Sequence, residues 1–181
     1  MNNSEKRDND MKSNILIISI VIICLAVIAS LPDFVQAFGP NEENLLAYDI
    51  ESSKIPANYE NTMAVSDNIA GIIHYNAEKT DCSFALYINH PGFDFGYRFR
   101  CGGSIYDIVD SLVAFQNEYH DETIIMSLNK PQIVRIEING AENKTIEIDE
   151  NEPFVVIVPA DSTFSIFDIS NNEVKYTESS F

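Results

Sequence analysis

The sequence predicts a mainly β protein: an antiparallel β-sandwich or open barrel with one amphipathic helix, preceded by an N-terminal transmembrane helix. Three observations carry this expectation. From Ile69 onward, short alternating or β-branched runs recur, each bounded by turn residues. One stretch after Ser104 repeats its apolar residues at helical spacing instead. Ile15 to Leu31 is a run of seventeen residues without a charge, at the lower edge of what spans a bilayer.

The leader comes first. Lys6, Arg7 and Lys12 precede the apolar run, whereas Asp33, Glu42, Glu43, Asp49 and Glu51 follow it. The Lys/Arg bias places residues 1–13 in the cytoplasm, residues 14–38 in the membrane and the remainder outside. The same stretch fits a secretory signal: a basic start, an apolar centre, a break at Pro32, then Val35-Gln36-Ala37 before a cut after Ala37. Signal anchor and cleaved signal both remain open, and both export the domain. Ile23 stands before Cys24 where lipidation needs a small residue, so a lipid anchor is not expected.

Residues 39–68 are rich in Asn, Glu and Ser, interrupted by Pro40 and Pro56. They are expected to form a linker or lead-in, with at most a helical turn at Leu45 to Tyr48. The β-rich domain is then residues 69–181.

Cys82 to Asn89 and Asp94 to Cys101 both alternate about His90-Pro91-Gly92-Phe93, the signature of a hairpin. A loop centred on Pro91-Gly92 sets Phe84 opposite Phe99, Leu86 opposite Tyr97 and Ile88 opposite Phe95, all on one face. Tyr87, Arg98 and Arg100 then share the polar face. That register also sets Cys82 opposite Cys101, within reach of a disulfide in an oxidising exterior. Closing a loop of about 20 residues would contribute roughly 3 kcal/mol in the chain-entropy model.

Gly102-Gly103 ends the hairpin, and Ser104 is a suitable N-cap with Asp107 three residues on. Ile105, Ile108, Val109, Leu112 and Phe115 predict a helix to about Gln116. Strands are expected at Thr123 to Leu128, Ile133 to Ile138, Lys144 to Ile148, Phe154 to Val158, Thr163 to Ile169 and Glu173 to Thr177. Phe154-Val-Val-Ile-Val158 lacks alternation, which predicts a central strand covered on both faces.

The 181 residues are 45% apolar and 22% charged, so bulk disorder is excluded. The net charge of −17 excludes a nucleic-acid binder, which needs a basic footprint. Pro91-Gly92-Phe93-Asp94-Phe95-Gly96-Tyr97-Arg98-Phe99-Arg100 with Gly102-Gly103-Ser104, and later Pro153-Phe154-Val155-Val156-Ile157-Val158-Pro159 and Asp168-Ile169 with Asn171-Asn172, resemble a set of small exported or membrane-anchored proteins of low-GC Gram-positive bacteria. The resemblance implies location and a β-rich build, and no activity.

Chemistry is sparse. His74, His90 and His120 stand in no metal-ligand spacing, so neither a metal nor a cofactor is expected. Glu147, Asp149, Glu150 and Glu152 lack the calcium-loop pattern. Gly103 and Ser104, beside Arg100 at a helix start, form a candidate anion site. Tyr87, Arg98 and Arg100 are the candidate partner-binding residues. Residues 39–181 hold eight Lys or Arg against 24 Asp or Glu, so two neighbouring arginines stand out. The expected function is a non-catalytic binding module, held on the bilayer through its N-terminal segment and taking a protein or peptide partner. The alternatives are a secreted soluble protein, a hydrolase using Ser104 with a histidine and an acid, and an immunity-type partner of a membrane protein.

Overall fold

Strands whose side chains are apolar on both faces need a cover on both faces. The computed structural model supplies it by stacking sheets. It describes residues 39–89, 96–104, 106–117, 121–140 and 143–181; the expected transmembrane helix and Cys24 lie outside the described residues. Two helices and eleven strands are described. They are α1 (Glu42–Ser53), β1 (Glu60–Val65), β2 (Ile69–Tyr75), β3 (Cys82–Asn89), β4 (Tyr97–Gly103), α2 (Tyr106–Asp110), β5 (Val113–Gln116), β6 (Glu122–Ser127), β7 (Ile133–Asn139), β8 (Lys144–Glu147), β9 (Phe154–Pro159), β10 (Thr163–Asp168) and β11 (Thr177–Ser180).

The strands form three sheets, ordered β1-β2-β3-β4, β11-β5-β6-β9 and β10-β7-β8. Every pair is antiparallel except β5 with β11. The β11 sheet is the middle layer. Its Val113, Phe115, Ile124, Met126 and Val155 pack on Ile69, Ile73, Phe84, Leu86 and Ile88 of the first sheet. From its other face, Leu112, Ala114, Ile125, Phe154 and Val158 meet Ile133, Ile136, Ile138 and Ile166 of the third. The far face of the first sheet is covered by α1, through Leu45 against Ala70, Ile72, Ala85 and Tyr87. All seven residues of β2 are therefore buried. A Cβ on Gly71 would come within 2.5 Å of Met126 Cε, so a glycine here lets the first two sheets approach.

The mainly β, antiparallel expectation holds, as do the strands placed between Thr123 and Ile169. Several details differ. The expected lead-in belongs to the compact unit Gly39–Phe181 and supplies α1 and β1. Asn41 caps α1, its Oδ1 accepting from Asn44 N at 3.2 Å, and Glu42 and Glu43 favour the helix start. Lys54, in the left-handed conformation (φ 54°), closes the helix by donating its N–H to Ile50 O.

The helix expected to run to Gln116 stops at Asp110, and Val113–Gln116 instead pairs with β6 and β11. The β-branched and aromatic side chains of Val113 and Phe115 fit a covered sheet better than a helix. Phe154–Pro159 is covered on both faces but ends its sheet rather than lying at its centre. The last expected strand is reduced to a bridge between Glu173 and Phe167, and regular pairing resumes at Thr177.

The hairpin register is also different. Leu86 faces Cys101, Tyr87 faces Phe99, and Asn89 faces Tyr97, with Arg100 as the extra residue of a bulge. Phe84, Leu86 and Ile88 point into the core as expected, but Tyr97 and Phe99 change sides. Tyr97 joins the cluster beneath α1, where its hydroxyl donates to Ser66 O at 2.5 Å. Phe95 lies outside the described residues.

The new register does not bring the two cysteines of the expected disulfide to bonding distance. Cys82 pairs with Tyr75, while Cys101 sits opposite Leu86, four residues further along β3. That offset is about 13 Å of strand, whereas bridging needs Cα atoms within roughly 7 Å. Both side chains are thiols. Unfolding exported protein in alkylating reagent without reductant should therefore label Cys82 and Cys101 in full. A peptide pair linked until reduction would contradict this register.

Candidate functional site

Two features of the first sheet bear on function, one on each side of Tyr87. The first is a polar cluster beneath α1. Leu45, Asp49 and Ser53 follow each other at helical spacing, so the second inward position of the helix is an acid. Asp49 is 0% exposed, and His74 and Tyr87 are each 1% exposed. His74 Nε2 lies 2.6 Å from Asp49 Oδ2, Tyr87 donates its hydroxyl to Oδ1 at 2.5 Å, and Ser53 donates to the same oxygen at 3.2 Å. A carboxylate only accepts, so Nε2 carries the imidazole proton. Nδ1 is buried and has no hydrogen-bond partner among the described residues.

Burial pushes the Asp49 carboxyl pKa up. The hydrogen bonds from His74 and Tyr87, with the nearby imidazole, outweigh burial and hold the carboxyl below its ordinary value. Burial, and then the Asp49 carboxylate, pushes the Tyr87 phenol far above its ordinary range. Tyr87 is therefore a fixed donor. With α1 in place no solute reaches these groups, so the geometry makes them a latch joining helix to sheet.

The second feature is β4, the edge of the first sheet among the described residues. Arg98, Phe99 and Arg100 are exposed in succession, Phe99 at 57%. The Phe99 ring meets the buried Tyr87 ring edge-on, with centroids 5.8 Å apart. Of the three residues expected to bind a partner, the two arginines are at the surface and Tyr87 is not: its hydroxyl belongs to the latch. Phe99, placed in the core by the expected register, replaces it at the surface. Gly103 and Ser104 are exposed as well. They precede α2, whose five residues make little more than one turn and sum to only a small dipole. Cys101, beside Arg100, is partly buried, and that burial raises its thiol pKa against the lowering effect of the guanidinium.

The remaining candidates resolve into structure. His90 and His120 lie outside the described residues. His74 has its Nε2 engaged by Asp49 under α1, whereas Ser104 is exposed after β4, so these two do not form a nucleophile and base. Asp149 Oδ1 accepts from Asn151 N at 2.9 Å, and Asp149 O accepts from Asn129 Nδ2 at 2.8 Å, which shape the acidic turn. Lys79 reaches the same turn by donating to Asn151 O, with Glu152 carboxylate 3.9 Å away. Among the described residues, no group of three or more His, Cys, Asp or Glu is placed to hold a metal ion. No protein family, curated protein or solved structure matches the chain.

Proposed function

We propose that this chain is a single-pass, membrane-anchored extracytoplasmic protein, its N-terminus cytoplasmic, whose domain is a non-catalytic interaction module. The uncharged run Ile15 to Leu31 and the Lys/Arg bias before it support the placement. The resemblance to exported or membrane-anchored Gram-positive proteins agrees with it. The partner is a protein or peptide, and it docks at Arg98, Phe99 and Arg100.

One observation carries the docking site: a phenylalanine 57% exposed between two exposed arginines on an edge strand. A large apolar ring in water gains about 1.5–3 kcal/mol when a partner covers it. Aromatic and arginine side chains are also the residues that most often dominate binding energy. The acidic surface elsewhere keeps the domain soluble and disfavours nucleic acid.

The test is site-specific photo-crosslinking in membranes of producing cells. A photoreactive residue at position 99 should yield one discrete adduct, and one at exposed Asn139 on β7 should not. Equal labelling from both positions, or none from 99, would remove β4 as the docking site.

A further inference from the structure

We infer that the partner contributes an extended acidic segment, which adds to the outer edge of β4 as a strand. This rests on the docking site proposed above and specifies what binds there.

The first observation is main-chain geometry. Tyr97 donates its N–H to Pro40 O at 2.8 Å, although its register partner in β3 is Asn89. Its N–H thus points away from β3, and the outer edge of β4 already receives main chain from the segment leading into α1. The close approach requires glycine on both sides: a Cβ on Gly39 would fall 2.0 Å from Tyr97 O, and one on Gly96 (φ +71°) 2.3 Å from Gly39 O. Backbone groups alternate along an antiparallel strand, so Phe99, two residues on, also turns its N–H and C=O outward. Beyond the bulge, Gly102 and Gly103 end the strand, and among the described residues nothing lies within 4 Å of where a Gly103 Cβ would stand. At Gly102 a Cβ would stand 3.0 Å from Phe99 Cε2, so the side chain an incoming backbone meets at that end is the Phe99 ring itself.

The second observation is charge. Two copies pairing β4 to β4 would set arginines against arginines, and like charges facing across strands are destabilising. Edge charges and a bulge are devices against indiscriminate pairing. Here their sign admits a segment rich in Asp or Glu and turns away a basic one. Each arginine already has an interaction within the chain, but a guanidinium carries five N–H donors, enough to serve an incoming carboxylate as well. The acidic remainder of the domain repels such a segment at a distance. Screening over about 8 Å at physiological salt leaves the contact to the two arginines.

Amide hydrogen exchange on the full chain in detergent micelles tests the inference, using a short alternating Glu/Val peptide and its Lys/Val counterpart as probes. The Glu/Val peptide should slow exchange at Phe99 several-fold and the Lys/Val peptide should not. The variant Arg98→Glu/Arg100→Glu should reverse that preference. Protection by both peptides, by neither, or by the basic one alone overturns strand addition by an acidic segment. An adduct from position 99 combined with an unprotected Phe99 amide separates the two readings: docking at β4 stands and strand addition falls.

Discussion

Replacing Asp49 with alanine should destabilise the domain by about 3–5 kcal/mol, the usual cost of removing one partner from a buried charged network. The carboxylate accepts from His74, Tyr87 and Ser53, and the first two donors are buried away from solvent. Each buried donor left unsatisfied costs about 1–3 kcal/mol. Against the roughly 5–15 kcal/mol that holds a domain folded, that loss is large. Urea unfolding of the wild type and the variant measures it; a difference under about 1 kcal/mol would show that α1 is held by its apolar contacts, Leu45 and Leu46, rather than by the acid. Acid gives an independent check. The native carboxyl pKa lies below the ordinary 3.8, so the unfolded chain takes up the proton first as pH falls. Stability from Asp49 is complete above pH 3.8 and is lost as pH drops through the lower native value, a loss missing in Asp49→Asn. Tyr87 acts at the other extreme. Its raised phenol pKa makes the native state hold its proton longer, so its contribution is present below pH 10.0 and declines above.

The same residue explains what the sequence concealed. The inner face of α1 runs Leu45, Asp49, Ser53, so two polar groups stand where helical periodicity looks for apolar ones. Only the third dimension shows that His74 and Tyr87 satisfy that acid. The strands from Thr123 to Ile169 were legible because turn residues bracket each of them and tertiary contacts did not override the pattern. Val113–Gln116 was not legible: Phe115 continues the helical spacing begun at Ile105, and the strand's parallel partner β11 lies some sixty residues on, beyond any local signal. In the hairpin, alternation fixed the inward face of β3 correctly. The return arm carries its aromatic residues on one face and its arginines on the other, and hydrogen bonds from Tyr97 to Pro40 and Ser66 decide which side of the sheet each takes. That choice moves Phe99 from core to surface, so the arginines of the candidate site were legible and the aromatic residue between them was not.

Ile124→Ala and Ile125→Ala should each cost about 2–5 kcal/mol, although the two residues are neighbours on one strand. On a sheet with one face in water, alternation would make one of them nearly neutral. On β6 both are 0% exposed, in different cores: Ile124 packs between the middle and first sheets, Ile125 between the middle and third. Each truncation leaves a cavity that neighbouring strands, held by ladders on both sides, fill only in part. Ile169→Ala is the control: that side chain is 52% exposed, and its loss should stay within about 0.5 kcal/mol. Urea midpoints for the three variants separate a stacked middle sheet from a two-sheet sandwich. A small effect at Ile124 would detach the first sheet from the middle one, and with it the layer that presents β4; a small effect at Ile125 would detach the third. Comparable losses at both positions, beside an unaffected Ile169→Ala, require covers on both faces of β6.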